Sequence, residues 1–336
     1  MTTHMSTQTV TPTASRRSHP LRSMLLKRSA QGVVTLLVVS MLVFWATQLL
    51  PGNAANAVLG KSATPATLAA LEEHLGLSKP VIVQYWSWLS GLLTGNPGSS
   101  LINGDPVGVV VSGRILNSAF LLVVAGVIGT AIAVSAGMLA ASRRDRAFDH
   151  TSSITALVVT ALPEFVVAVV LILIFSTQVF KILPATSPIN PGSPPWQQPT
   201  LLVLPIITLI IVIVPYMFRM VRAVTIETLE SDYVQTARLK GLSEPEILLR
   251  HVLPNIVPAS VQAVGLTILY LAGGVVVVEV VFNYPGVGQG LVQAVATRDI
   301  PVIQFLVMLL AAFYVAVNIG ADFATLVATP KRRVTR

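Results

Sequence analysis

The chain contains 336 residues, of which 53% are hydrophobic and only 11% are charged. Soluble domains carry about 25% charged residues, so this composition argues against a soluble protein and indicates a polytopic membrane protein. The net charge of +8 would suit nucleic-acid binding, but the basic residues flank apolar segments and form no face of their own, so we predict no nucleic-acid partner. Because cysteine is absent, disulfides and thiolate metal sites are excluded.

The N-terminal region predicts a polar tail followed by one membrane span. Residues 1–20 are rich in Thr and Ser and have too little apolar content to fold, so we expect a disordered tail. Residues 21–50 are predicted to form the first transmembrane helix, with its apolar part at Gln31–Leu50. A basic segment, an apolar run and Ala55-Asn56-Ala57 are also typical of a cleaved signal peptide. The apolar run Val33–Leu50 is longer than in such peptides, which favours a retained anchor.

Residues 51–117 are predicted to form an extracytoplasmic segment. An amphipathic helix is expected near residues 64–73 and another at Val81–Leu93, whose aromatic residues suit a membrane interface. These helices either lie on the membrane surface or form a rim over a pore that meets an external partner. Residues 55–62 resemble a phosphate-binding loop, but a membrane span rather than a strand precedes them. We therefore predict that any ATP hydrolysis takes place in another subunit.

Five further spans are predicted within residues 118–328, which gives an all-α protein with six transmembrane helices. Pro205 and Pro215 predict a kink in the fourth span. The second span carries a small residue at every fourth position, a pattern that lets another helix approach closely but also arises by chance in Ala-rich spans. These small residues are Ala125, Gly129, Ala133, Gly137 and Ala141. The five spans are Ser118–Ala141, Ser153–Phe180, Leu201–Met220, Pro258–Phe282 and Val302–Ala328.

The distribution of basic residues predicts the orientation of the chain. With the N-terminus inside, the internal connections and termini hold 17 of the 22 Lys and Arg residues. Cytoplasmic loops carry such an excess, so both termini are predicted to be cytoplasmic, and residues 329–336 form a basic cytoplasmic tail.

Three acidic residues lie inside predicted spans or at their edges: Glu164, Glu279 and Asp322. Each would cost about 2.5–3.5 kcal/mol near the middle of a membrane, so we expect them to face the bundle interior, a pore or the interface region. A proton relay should include histidine, and no histidine lies within a span. Structural pairing or a hydrated cavity is therefore the favoured interpretation.

A polar hairpin is predicted at Asp232–Pro254, within a connecting loop at residues 223–257. Asp232 begins a short helix, and Gly241 is suited to end it in a left-handed conformation. Ser243 and Glu246 then resemble a capping box, which opens a second helix that runs to about residue 252. We expect Pro254 and Pro258 to break that helix before the fifth span. The hairpin should offer Tyr233, Ala237 and Leu242 to a groove on a soluble partner.

The loop resembles the cytoplasmic signature of permease subunits of ATP-binding-cassette importers. Four residues match that signature in register: Ala237, Gly241, Leu253 and Pro254. Three residues depart from it, namely Gln235, Thr236 and His251, and these departures resemble the peptide/nickel subfamily. The resemblance covers about residues 22–333, although the tail at residues 329–332 departs from the usual Asp-Pro-Arg. Further motifs of that subfamily are Leu49-Leu50-Pro51-Gly52, Leu75-Gly76-Leu77-x-x-Pro80, Glu279-x-x-Phe282-x-Tyr284-Pro285-Gly286-x-Gly288 and Asn318-x3-Asp322.

This resemblance implies a permease bundle of the type I importer class, with a cytoplasmic coupling helix, in a bacterial inner membrane. Its partners would be a second homologous permease, two ATPase subunits that bind ATP and Mg, and an extracytoplasmic solute-binding protein. Di- or oligopeptides would be the substrate, with nickel chelates or another small solute as the alternative. An ion-coupled carrier should show inverted repeats, which the sequence lacks, and a membrane anchor without a translocation role is a third possibility.

The implied role of the chain is transport rather than catalysis, with no cofactor or metal of its own. The candidate pore or interface residues are Glu164, Glu279, Asn318 and Asp322. The residues implied to couple to the ATPase are Asp232, Tyr233, Gln235, Thr236, Ala237, Lys240, Gly241, Leu242, His251, Leu253 and Pro254.

Overall fold

A computed structural model describes residues 20–49, 64, 79–190 and 193–328, and the regular structure in these residues is entirely helical. Several predicted segments lie outside the described residues. They are the two tails, the phosphate-loop-like segment at residues 55–62, the signal-peptide motif and nearly all of the helix expected near residues 64–73. The helices are α1 (Pro20–Gln48), α2 (Val81–Leu93), α3 (Val107–Ser142), α4 (Ala147–Thr160), α5 (Glu164–Ile172), α6 (Pro199–Leu229), α7 (Asp232–Leu239), α8 (Glu244–Ile247), α9 (Leu253–Val281), α10 (Val287–Thr297) and α11 (Ile300–Ala328).

Among the described residues, five helices are long and apolar enough to cross a membrane: α1, α3, α6, α9 and α11. Residues Ala147–Thr160 and Glu164–Thr177 are apolar enough to cross only as a pair, and this pair is bent by 103° at the break, so it is either a broken sixth span or a re-entrant loop. The prediction of six spans is therefore confirmed when the bent pair counts as one. α3 is longer than predicted and begins at Val107 instead of Ser118.

The third span is not the single helix predicted over Ser153–Phe180. α4 ends at Thr160, and α5 begins directly after Pro163. Proline lacks an N–H group and disfavours the helical conformation of the residue before it. These two effects explain why the chain leaves the helix at Ala161–Pro163. α5 then ends in a π-helical turn at Leu173–Thr177.

The predicted break at Pro254 and Pro258 is wrong, because the backbone stays helical from α8 through to the end of α9. A π-helical turn, Leu248–Val252, precedes Pro254, and the N–H of Leu253 donates to the carbonyl of Leu248, five residues back. This wider turn gives room to the proline ring at the point where the normal helical hydrogen bond is missing. α6 likewise remains one helix through its two internal prolines.

The small residues of α3 form its contact with α6, which is the most extensive helix pair in the bundle. All five are buried. A Cβ atom at Gly129 would lie 2.5 Å from Cδ1 of Ile213, and one at Gly137 would lie 3.0 Å from the carbonyl oxygen of Phe218. The two helices therefore approach more closely than larger side chains would allow, which confirms the predicted close approach.

At the end of the bundle opposite to the hairpin, α1 holds both α2 and α11. The hydroxyl groups of Ser40 and Tyr85 lie 2.8 Å apart, and the ring of Phe44 packs edge-on against Tyr85. On the next turn of α1, the buried Thr47 accepts a hydrogen bond from Nε2 of Gln304, at 2.8 Å. These contacts attach the first span to the remaining helices.

Candidate functional site

The predicted hairpin is present as α7 followed by the turn into α8. The N–H of Gly241 donates to the carbonyl of Arg238 at 2.9 Å, and the N–H of Leu242 donates to the carbonyl of Ala237 at 3.3 Å. This pair of bonds is the usual closure of a helix by a left-handed residue. Gly241 has a φ of +81°, a conformation that glycine adopts without a steric penalty. The predicted role of Gly241 in ending the helix is confirmed.

Ion pairs across and along the hairpin stiffen its turn. Nε of Arg238 lies 2.8 Å from Oε1 of Glu244, which joins the end of α7 to the start of α8. The predicted capping box is wrong, because the Ser243 side chain makes no capping hydrogen bond. Glu246 is instead paired with Arg250 one turn later, at 2.6 Å.

The inner face of the hairpin is packed onto the bundle. Val234, Ala237 and Ile247 are buried in one apolar cluster with residues of α6, including Val221 and Leu229. Ala237 is only 6% exposed, so the prediction that it is offered to a partner is wrong. It lies on the buried side of α7 because Val234, three residues earlier, faces the same way. The hairpin is therefore fixed to the end of α6.

The outer face of the hairpin exposes apolar side chains next to polar ones. Leu239 is 89% exposed and Tyr233 is 46% exposed. Leu249, on the second arm, is also exposed. Sequence reasoning missed Leu239, and only its position opposite the buried Val234–Ala237 face distinguishes it. Of the other predicted coupling residues, Asp232, Gln235, Thr236, Lys240 and Pro254 are exposed, while Leu242, His251 and Leu253 are half-buried.

Two ion pairs connect the last turns of α6, at the base of the hairpin, to the first turn of α4 and to the loop before it. Nη2 of Arg222 lies 2.7 Å from Oδ2 of Asp149, a carboxylate that is only 1% exposed. Arg144 pairs with Glu230, the residue just after the end of α6. The hairpin is therefore joined to α4 as well as to α6.

The buried Glu279 is the centre of a polar network near the end of α9 opposite to the hairpin. Its carboxylate accepts a hydrogen bond from the hydroxyl of Ser118 and two from the backbone N–H groups of Gly288 and Gln289, at 2.7 and 3.2 Å. The hydroxyl of Ser118 in turn accepts from the N–H of Val287 at 2.8 Å. Glu279 thus caps the first turn of α10, which is a structural role.

Neighbouring side chains tie the turn between α9 and α10 to α3. The hydroxyl of Tyr284 donates to the carbonyl of Asn117 at 3.0 Å, and Nδ2 of Asn117 donates to the carbonyl of Pro285 at 2.8 Å. Burial raises the pKa of Tyr284 above its ordinary value, which keeps the hydroxyl protonated as a donor. Arg114 donates to the side chains of Gln289 and Gln293.

The other intramembrane polar residues lie elsewhere. Oδ2 of Asp322 is 2.7 Å from Nε of Arg28, so this ion pair joins α11 to α1 beside an open cavity of about 640 Å³. Nδ2 of Asn318 donates to the carbonyl of Tyr314 on its own helix. Glu164 lies on α5 and faces α9. The four candidate pore residues thus occupy three separate places and form no single site. Among the described residues, no cluster of three or more His, Cys, Asp or Glu side chains could hold a metal ion.

The comparisons with known proteins place these features in a family. Residues 133–334 match the family described as the binding-protein-dependent transport system inner membrane component, and residues 21–105 match the N-terminal region of such membrane components. The chain belongs to this permease family. The permease is a multi-pass inner-membrane subunit of an ATP-binding-cassette transporter and is not itself an enzyme, since ATP hydrolysis belongs to partner subunits.

Relatives match the permease over most of its length. It is 33% identical to a probable peptide ABC transporter permease of Sinorhizobium fredii, and the match covers 92% of this chain and 98% of that protein. It is 34% identical to a glutathione transport system permease of Salmonella choleraesuis, and the match covers 88% of this chain and 94% of that protein. An inward-facing structure of the MetNI methionine ABC transporter shares the fold, with 19% identity, a TM-score of 0.53, and coverage of 66% of this chain and 96% of that chain.

A long groove between α3, α9 and α11 of the permease encloses about 850 Å³. Its walls are almost entirely apolar, and the hydroxyls of Ser118, Thr130 and Thr267 are among its few polar groups. Sequence reasoning did not find this groove, because its residues come from three distant spans. The repeated small residues of α3 were a signal for close packing against α6 only.

Proposed function

We propose that this permease is one of two membrane subunits of an importer that takes up di- or oligopeptides. The relatives named for peptide and glutathione transport support this substrate class, since glutathione is itself a small peptide-like compound. Nickel chelates or another small solute are the alternative cargo. A solute-binding protein would deliver the cargo from outside, and both termini would lie in the cytoplasm.

The observation that carries the proposal is a hairpin fixed to the bundle on one face and exposing apolar side chains on the other. The outer face exposes Tyr233, Leu239 and Leu249 together, and apolar side chains grouped on one exposed face mark interaction sites. We propose that Tyr233 and Leu239 enter a groove of an ATPase subunit, where ATP and Mg are bound. Because the inner face is packed onto α6, closure of two ATPase subunits would tilt the spans as rigid bodies.

The apolar groove supports a path with little charge. A peptide carries side chains of every type, so its path needs a roomy and weakly selective lining, in contrast to the tight polar filter of an ion channel. We propose that a second homologous permease closes the groove from its open side. Specificity would then reside chiefly in the solute-binding protein.

The coupling proposal is tested by Leu239→Asp in the complete transporter. Because this side chain is 89% exposed, the variant should fold and insert like the wild type. We expect it to lose most co-purifying ATPase subunit and most ATP-driven uptake in proteoliposomes. Leu93→Asp is the matched control, since Leu93 is also highly exposed but lies at the end of α2. Wild-type ATPase binding by Leu239→Asp would contradict the proposal.

The substrate proposal is tested separately with the wild-type transporter and its own solute-binding protein. Uptake of a labelled dipeptide and of a labelled nickel chelate would be measured in the same proteoliposomes, with ATP inside. We expect ATP-dependent accumulation of the dipeptide. Accumulation of the chelate alone would replace peptides by the alternative cargo and leave the importer proposal intact.

A further inference from the structure

Glu164 is a carboxylate inside the bundle whose role the coupling and packing described above do not explain. It is half-buried at the start of α5 and lies near Tyr270 on α9. Both carboxylate oxygens lie close to Gly274, where an added Cβ atom would be 3.1 Å away from each. In the part of the chain that the structure describes, no Lys, Arg or His forms an ion pair with it.

The contact with Gly274 places this carboxylate within the membrane-spanning region. Gly274 lies inside the apolar span Ala263–Val281, about 10 Å along the helix from its end at Val281. A charged group at that depth is expensive, so it faces the bundle interior or a water-filled cavity. Glu164 therefore occupies a position where a carboxylate without an ion pair needs water or a ligand.

The break between α4 and α5 supplies a second observation at the same place. Residues 160–163 are exposed, and within the described residues no backbone N–H donates to the carbonyl oxygens of Thr160, Ala161 or Leu162. Irregular backbone at membrane depth is tolerated only where it is buried in protein or lines a water-filled cavity. Because this segment is exposed in the single subunit, we assign it to a hydrated part of the transport path, next to the helices that line the apolar groove but outside that groove.

The chemistry of the break is that of a cation site. A carboxylate and free carbonyl oxygens are hydrogen-bond acceptors only. The C-terminal end of α4 carries a partial negative charge, while Glu164 in the first turn of α5 offsets the positive end of that helix. The exposed ring of Tyr270, near Glu164, adds a face that attracts cations. Broken helices in transporters use the same combination to hold positively charged groups.

We propose that Glu164 and the carbonyl oxygens at the α4–α5 break bind the α-ammonium group of a peptide as it crosses the pore. This inference rests on the proposed peptide substrate, because the α-ammonium is the cation that unmodified peptides share whatever their sequence. Gly274 leaves the space that the carboxylate needs.

The test uses the complete transporter in proteoliposomes with saturating solute-binding protein, loaded in advance and checked by native mass spectrometry. For a dipeptide with a free amino terminus, we expect Glu164→Gln to reduce uptake about tenfold, since a charge-assisted hydrogen bond is lost. Glu164→Asp should restore much of it. A methyl group in Gly274→Ala should crowd the carboxylate and lower uptake several-fold, whereas Gly273→Ala, whose Cβ would meet no atom within 4 Å, should match the wild type.

The inference would be overturned by uptake by Glu164→Gln at the wild-type rate, or by equal losses in Gly274→Ala and Gly273→Ala. An N-acetylated dipeptide, where the binding protein accepts it, should be carried equally by wild type and Glu164→Gln, and an equal loss for both peptides would also count against the α-ammonium. Failure of the wild type to import any peptide would reject the proposed substrate instead, so the two failures are distinct.

Discussion

Gly286→Ala should destabilise the corner between α9 and α10 for one specific reason. The φ of Gly286 is −106°, a conformation open to alanine, so the backbone itself does not require glycine. A Cβ atom there would overlap the Glu279 carboxylate. That carboxylate is held by three hydrogen bonds, and displacing it would weaken them together. We expect a loss of about 2–4 kcal/mol in the free energy of unfolding.

The assay is SDS-induced unfolding of the purified permease in mixed micelles, with a double-mutant cycle. Gly113→Ala is the control, because an added Cβ there meets no atom within 4 Å. Glu279→Ala should also destabilise, since it leaves buried N–H groups without an acceptor. In the double variant the new methyl group no longer meets a carboxylate, so the second change should add little. The reasoning would be refuted if the losses in the free energy of unfolding of Gly286→Ala and Glu279→Ala added strictly in the double variant. It would also be refuted if Gly286→Ala had the same unfolding curve as Gly113→Ala.

Two further predictions concern packing and charge. Gly137→Ala should lower the free energy of unfolding by about 1–3 kcal/mol, because its Cβ atom would press on the backbone of α6. The control Gly126→Ala should be neutral or stabilising, since the nearest atom to its Cβ would be 3.9 Å away. Equal unfolding curves for the two variants would contradict the close approach. Arg222→Ala should lower the free energy of unfolding by about 3 kcal/mol, because it leaves the buried Asp149 unpaired. Arg238→Ala removes a partly exposed ion pair and should lower it by less than about 1 kcal/mol. The reverse order of the two losses would be evidence against this account of the hairpin base.

The features that could be predicted from the sequence are those set by local pattern. Long uncharged runs specify the spans, and a glycine after a short polar helix specifies the end of α7, because both depend on residues close together in the chain. The close approach of another helix to α3 was also predictable, since small residues repeated every four positions lie on one face of a helix, but α6 as that helix was not.

The features that escaped prediction depend on geometry between distant residues. The partner of Glu279 is Ser118, 161 positions earlier, and no local pattern links the two. A π-helical turn carries the helix through Pro254, so the usual rule for proline did not apply there. Ala237 proved to face the bundle because its neighbours on α7 pack on α6, which only the three-dimensional arrangement shows.

Photocrosslinking from position 239 in the assembled transporter tests most directly whether the hairpin is the docking surface. A photoreactive amino acid would replace Leu239 in one sample and Leu93 in another, and the crosslinked products would be identified by mass spectrometry. We predict that position 239 is joined to an ATPase subunit and that position 93 is not. An ATPase subunit that stays bound to the permease while position 239 remains uncrosslinked would contradict docking at the hairpin.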